Sequence, residues 1–159
     1  MEYSFDKLKC GPRSVMIMAA KLNKPITPEA MWREFAAEIS QSAIGASSVS
    51  LVLDMVRRFK LAKHMDVTHD VARVGSALAT ADVAGVLMAY ERTLDEQSVW
   101  HPVYHLVVVR RIMVGTDQTR YIEVESALPY GASSTELYSA LVLPRMMSSF
   151  LVFYGASDS

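Results

Sequence analysis

The stretch Val103-Tyr104-His105-Leu106-Val107-Val108-Val109 determines the class of fold. Its β-branched and aromatic residues favour an extended strand, which we predict over Val103 to Met113. The turn residues Gly115-Thr116-Asp117 follow, and a second strand is predicted over Arg120 to Glu125. A turn this short brings consecutive strands side by side, so we expect an antiparallel sheet.

Two other apolar runs, Val83 to Tyr90 and Phe150 to Tyr154, predict further strands. The residues before them have helical spacing instead. Helices are predicted from Pro12 to Leu22, from Pro28 onwards, through Val52 to Phe59, and from Val71 to Leu78, with a link over Lys63 to Asp70. Thr135 to Leu143 is predicted as a short helix or an irregular crossover.

Helices followed by an antiparallel sheet predict an α+β fold with two lobes. The chain has 159 residues, which fits a single domain over residues 1–159. We expect its helical part at about residues 10–80 and its sheet part at about residues 81–155.

Composition excludes several classes of partner. The formal net charge of −1 gives no electrostatic signature of nucleic-acid binding, and no apolar run is long enough for a membrane span. Met1 to Asp6 lack the basic and apolar regions of a signal peptide, so we expect a soluble protein, either cytoplasmic or secreted without a classical signal.

The number of cysteines and the spacing of the histidines limit the disulfide and metal sites that the chain can form. The single cysteine, Cys10, excludes an intrachain disulfide and a zinc site built from several cysteines. His101 and His105 share one face of a strand but lie about 13 Å apart, too far to chelate one ion. We therefore expect no metal and no organic cofactor.

Cys10-Gly11-Pro12 places the thiol immediately before a predicted helix that Pro12 begins. Backbone N–H groups at a helix start stabilise a thiolate, the reactive form of cysteine. His105, at the head of its strand, is the matching candidate for a general base, because a rigid strand can hold an imidazole within hydrogen-bonding reach of a thiol.

Together, the early segment Cys10-Gly11-Pro12-Arg13-Ser14-Val15 and the late histidine with its valine run resemble the papain-like cysteine peptidases. The similarity is to the peptidase C39-like group in particular, over nearly the whole chain. It implies a two-lobed fold in which Cys10 is the nucleophile and His105 the general base. The backbone N–H of Cys10 would form part of the oxyanion hole.

Two positions depart from that pattern. Papain-like enzymes usually carry a glutamine about six residues before the nucleophile, which donates to the oxyanion, whereas this chain has Ser4 there. Ser4, Tyr3 or a lysine would have to donate in its place. The expected aspartate of the triad aligns with Ser126, and Glu125 is adjacent to it. Alternation along a strand puts Glu125 and Ser126 on opposite faces, so both remain candidates for the group that orients His105.

The resemblance implies hydrolysis of a peptide or other amide bond through an acyl-enzyme, with a peptide or protein as substrate. Two alternatives use the same cleft. One is a non-catalytic C39-like module that binds a peptide, and the other is deamidation or acyl transfer on the Cys10–His105 pair. The sequence does not predict the oligomeric state.

Overall fold

The computed structural model describes residue 8 and residues 10–41, 49–80, 82–92, 103–127, 133–139 and 149–155. The helices in this part of the chain are α1 (Cys10–Lys21), α2 (Pro28–Gln41), α3 (Val49–Arg58) and α4 (Val71–Leu78). The strands are β1 (His64–Thr68), β2 (Val83–Arg92), β3 (Val103–Val114), β4 (Arg120–Ala127), β5 (Ser133–Ser139) and β6 (Ser149–Tyr154). None of the described helices has both the length and the apolar character needed to cross a lipid bilayer.

The strands form one antiparallel sheet in the order β1-β6-β2-β3-β4-β5. This confirms a fold that mixes helices with an antiparallel sheet, and the four strands predicted from apolar runs occupy its centre. Gly115-Thr116-Asp117 form the predicted turn between β3 and β4, with Gln118 at a φ of 63°.

The two edge strands correct the sequence prediction. β1 lies in the segment predicted as a link, inside the part expected to be helical, and β5 begins just before the segment predicted as a helix or crossover. An edge strand pairs on one side only and can keep polar side chains. For that reason neither Ser133–Ser139 nor His64–Thr68 carries the apolar run that marked the central strands.

Both faces of the sheet are covered, each by its own core. On one face α1, α2 and α3 pack against alternate sheet residues that include Leu106 and Val108. On the other face α4 packs against the intervening residues, among them Val107 and Val109. This alternation is the period of two expected for a buried strand, and it assigns each position of β3 to one of the two faces.

Helix α1 runs beside β3 and makes a close approach to β2. A Cβ atom at Gly85 would overlap the Sδ atom of Met18, whose side chain is buried. Glycine at position 85 therefore lets the helix lie against the strand. This contact fixes the position of α1 against β2 at Met18.

Candidate active site

Helix α1 begins at Cys10, two residues before the predicted start at Pro12, which lies in its first turn. Gly11 and Pro12, which lie in its first turn, are both buried. The backbones of Cys10 and His105 are described, whereas their side chains lie outside the described residues. The geometry of the candidate pair is therefore set by the elements that carry it.

A buried hydrogen bond joins these two elements. The Ser14 hydroxyl donates to the carbonyl oxygen of Leu106 at 2.9 Å, across 92 positions of sequence. Ser14 lies one helical turn after Cys10, and Leu106 directly follows His105. With a rise of about 1.5 Å per residue, Cys10 lies about 6 Å before Ser14 along the helix axis.

The pairing of β3 with β4 ends close to this hydrogen bond. Val108 pairs with Glu125, but Val107 and Ser126 are not paired, although both strands continue. β4 goes on to pair with β5 as far as Ala127. The pairing of β3 with β4 thus ends at Val108, two residues from Leu106, whose carbonyl accepts from Ser14.

Glu125 is held at the other end of the helix. Its carboxylate lies 2.8 Å from the Lys21 Nζ and 4.0 Å from the Arg110 Nε, with 17% of the side chain exposed. Lys21 is the last residue of the 12-residue α1, about 16 Å along the axis from Cys10. The structure therefore brings the Glu125 carboxylate to Lys21 and not to the start of the helix.

No family model, curated protein or solved structure matches this chain. Its function must be inferred from its own residues and their geometry.

Ser126 lies on the opposite face of β4 from Glu125. Ile122 and Val124 pack into the core beneath α4, and alternation places position 126 on that same face. The backbone of Ser126 pairs with Ser134 of β5, while its side chain lies outside the described residues. On β3, Val107 and Val109 belong to the α4 face, and alternation assigns position 105 to that same face. Positions 105 and 126 therefore share a face.

A bulge in β3 determines which positions of β3 and β4 share a face. The register shifts between Val109 and Arg111, so that one extra residue of β3 is inserted opposite β4. As a result the consecutive cations Arg110 and Arg111 both meet carboxylates of the same face of β4. The Arg111 Nε lies 2.7 Å from Glu123, and Arg110 approaches Glu125.

Some of the remaining site features lie in the part of the chain that the structure describes, and others lie outside it. Ser4, the candidate substitute for the oxyanion glutamine, lies outside the described residues. Among the described residues, no three His, Cys, Asp or Glu side chains are grouped so as to hold a metal ion. His64 stacks on Tyr154, with ring centroids 4.9 Å apart, on strands away from β3.

Ser14 is the residue that sequence reasoning missed. It is 1% exposed and lies on the buried side of α1, beside Val15 and one turn before Met18. A small polar residue among the buried positions of a helix needs a hydrogen-bond partner. That requirement was a usable signal, but the sequence could not name Leu106 as the acceptor.

Proposed function

We propose that this protein is a thiol-dependent hydrolase of peptide or other amide bonds, with Cys10 as nucleophile and His105 as general base in a papain-like two-lobed arrangement. The observation that carries the proposal is the buried hydrogen bond from Ser14 to the Leu106 carbonyl. It fixes the helix turn that follows the cysteine to the backbone of the strand residue that follows the histidine. Because alternation gives position 105 the face opposite α1, the bond supports proximity of the two elements, and the pair requires that the imidazole reach the α1 face at the start of β3.

The start of α1 supplies the electrostatics that a nucleophilic thiol needs. The positive end of the helix dipole and its N–H groups favour the thiolate over the thiol. Gly11 next to Cys10 leaves space for a substrate carbonyl beside the sulfur. The Cys10 N–H would then donate to the oxyanion that forms there.

The reaction would proceed in two displacements. The Cys10 thiolate adds to the carbonyl carbon, and collapse of the tetrahedral intermediate breaks the C–N bond while the His105 imidazolium gives its proton to the leaving amine. The neutral imidazole next takes a proton from water, and the resulting hydroxide attacks the thioester. The C–S bond breaks, releasing the carboxylic acid and restoring the thiolate.

Ser126 is the better candidate to orient His105. Position 126 shares the α4 face with position 105, whereas Glu125 lies on the other face and is paired with Lys21. A serine hydroxyl can fix the orientation of an imidazole without a charge, as neutral partners do in some papain-like enzymes. Since α1 packs on the face opposite position 105, the proposal requires that the imidazole reach the thiol around the start of β3.

The test is the pH dependence of Cys10 alkylation by iodoacetamide. We expect wild type to react at pH 6 faster than a model thiol, and His105→Ala to react no faster than that thiol, because an imidazolium stabilises the thiolate. His64→Ala is the matched control, since His64 lies on β1 against Tyr154. A wild-type profile that coincides with the model thiol would overturn the assignment.

The orienting residue is tested by comparing Ser126→Ala with Glu125→Gln. Ser126→Ala should slow alkylation at pH 6, and Glu125→Gln should leave it near the wild-type rate. The opposite result would assign the role to Glu125 and contradict the register. If neither variant changes the rate, neither residue orients the imidazole.

A non-catalytic peptide-binding module is the second candidate, favoured by the pairing of Glu125 with Lys21. A serine orienter stabilises the imidazolium less than a carboxylate does. For this candidate, Cys10→Ala would keep peptide binding and biological function intact. Analysis of products on a peptide library distinguishes hydrolysis from deamidation or acyl transfer on the same pair.

A further inference from the structure

A pocket of about 320 Å³ lies between the last turns of α3 and the edge strand β1. Its floor is apolar and consists of the buried side chains of Val56 and Phe153. Leu53, Ala62 and Met65 complete its apolar lining. This size lies at the lower end of the range of small-molecule sites in proteins.

The path of the chain after α3 creates the pocket. Lys60 has a φ of 56° and reverses the chain, and the Leu61 N–H donates to the Val56 carbonyl at 2.9 Å. This C-cap holds Leu61 in the core while Ala62 and Lys63 lead into β1. Space is left between the last turn of α3 and β1.

The rim of the pocket is basic. Arg57 and Lys63 border it, and none of the described residues that line it is acidic. Arg57 forms no ion pair within the described part of the chain, unlike its neighbour Arg58, which lies 2.8 Å from Glu34. His64 also borders the pocket, but its ring stacks on Tyr154.

We propose that this pocket binds a small aliphatic carboxylate, with the hydrocarbon against Val56 and Phe153 and the carboxylate at Arg57 and Lys63. The guanidinium of Arg57 can receive a carboxylate through two parallel hydrogen bonds. The same chemistry occurs in a free fatty acid and in the C-terminal leucine of a peptide. The experiment distinguishes these two sources.

The proposal does not depend on the thiol chemistry at Cys10. Across the sheet, β1 lies about 14 Å from β3, and β6, which contributes Phe153 to the pocket, lies about 10 Å from it. Binding can therefore be measured with no assay of catalysis.

Octanoate is the first probe, titrated into ¹⁵N-labelled protein while backbone amide shifts are followed by NMR. We expect saturable shifts confined to the residues around the pocket, and weaker binding of octanamide, which has the same chain without the charge. N-acetyl-glycyl-leucine is the second probe. Tighter binding of the dipeptide identifies a peptide C-terminus as the source, and tighter binding of octanoate identifies a free fatty acid.

Arg57→Gln should weaken octanoate binding at least threefold, and Arg58→Gln less than twofold, although both remove the same charge. Leu53→Trp should fill the pocket and abolish saturable binding, with an unperturbed spectrum elsewhere as evidence of folding. Shifts that are absent, scattered over the surface, or equally weakened by the two arginine variants would overturn the proposal.

Discussion

Replacing Ser14 with alanine tests the link between the candidate nucleophile and its base. The change removes the Ser14 hydroxyl, which donates to the buried Leu106 carbonyl at 2.9 Å, and leaves that carbonyl without this donor. Loss of a buried hydrogen-bond partner costs about 1–3 kcal/mol in the free energy of unfolding. If about 1 kcal/mol of this free energy comes from holding the thiolate beside the imidazolium, losing the bond shifts the equilibrium between thiolate and thiol about fivefold towards the thiol.

Two measurements on each variant separate stability from chemistry. Urea denaturation gives the free energy of unfolding, and iodoacetamide labelling across pH gives the apparent pKa of the thiol. For Ser14→Ala we expect both a lower stability and a slower alkylation at pH 6. Thr80→Val is the control, because it removes a hydroxyl that donates to the Ala77 carbonyl at 2.8 Å, next to α4 and away from α1.

The control should lose some stability and keep the wild-type alkylation profile. Should Ser14→Ala behave in the same way, the hydrogen bond is only structural and the reasoning that places Cys10 beside His105 is refuted. A loss of stability without any change in alkylation is thus the decisive negative result.

Three other changes test the packing, a charged turn and the ion pairs. Gly85→Ala should lower the free energy of unfolding by about 1–3 kcal/mol, measured in urea, because the new methyl group overlaps buried Met18. Asp117 accepts the Thr119 N–H, which lowers its pKa below the ordinary 3.8. Its charge therefore stabilises the fold above that value and the benefit is lost on acidification, so the urea midpoints of wild type and Asp117→Asn should converge as pH falls. Lys21→Met should cost at most about 1 kcal/mol in the same assay and leave Cys10 alkylation unchanged, since the partly exposed pair lies at the far end of α1.

The strands that the sequence predicts lie at the centre of the sheet, and those that it misses lie at its two edges. Strand β3 is covered on both faces, with Leu106 and Val108 in one core and Val107 and Val109 in the other, so burial imposes a continuous apolar run. β1 and β5 are edge strands with little such constraint. In β1, Val67 remains 53% exposed. These two strands form through backbone hydrogen bonds to their neighbours, and such bonds are possible with any side chain.

The helices are read more completely because each buries one stripe. Apolar spacing in α1, α3 and α4 reproduces their buried faces, and Asp70 caps α4 by accepting the Ala72 N–H at 3.0 Å. The position of one helix along the sheet depends on contacts between distant residues. The Gly85 contact with Met18 and the Ser14 hydrogen bond are of this kind, and no local pattern indicates either of them.

The choice between Glu125 and Ser126 shows what a single residue of register decides. From Val114 paired with Arg120, an uninterrupted ladder would place Glu125 opposite Val109, in alternation with position 105. The bulge shifts the ladder so that Glu125 lies opposite Val108 instead and shares the face of α1, where its carboxylate pairs with Lys21. Ser126 takes the face of position 105. The extra residue in β3 thus decides whether position 125 or position 126 shares a face with position 105.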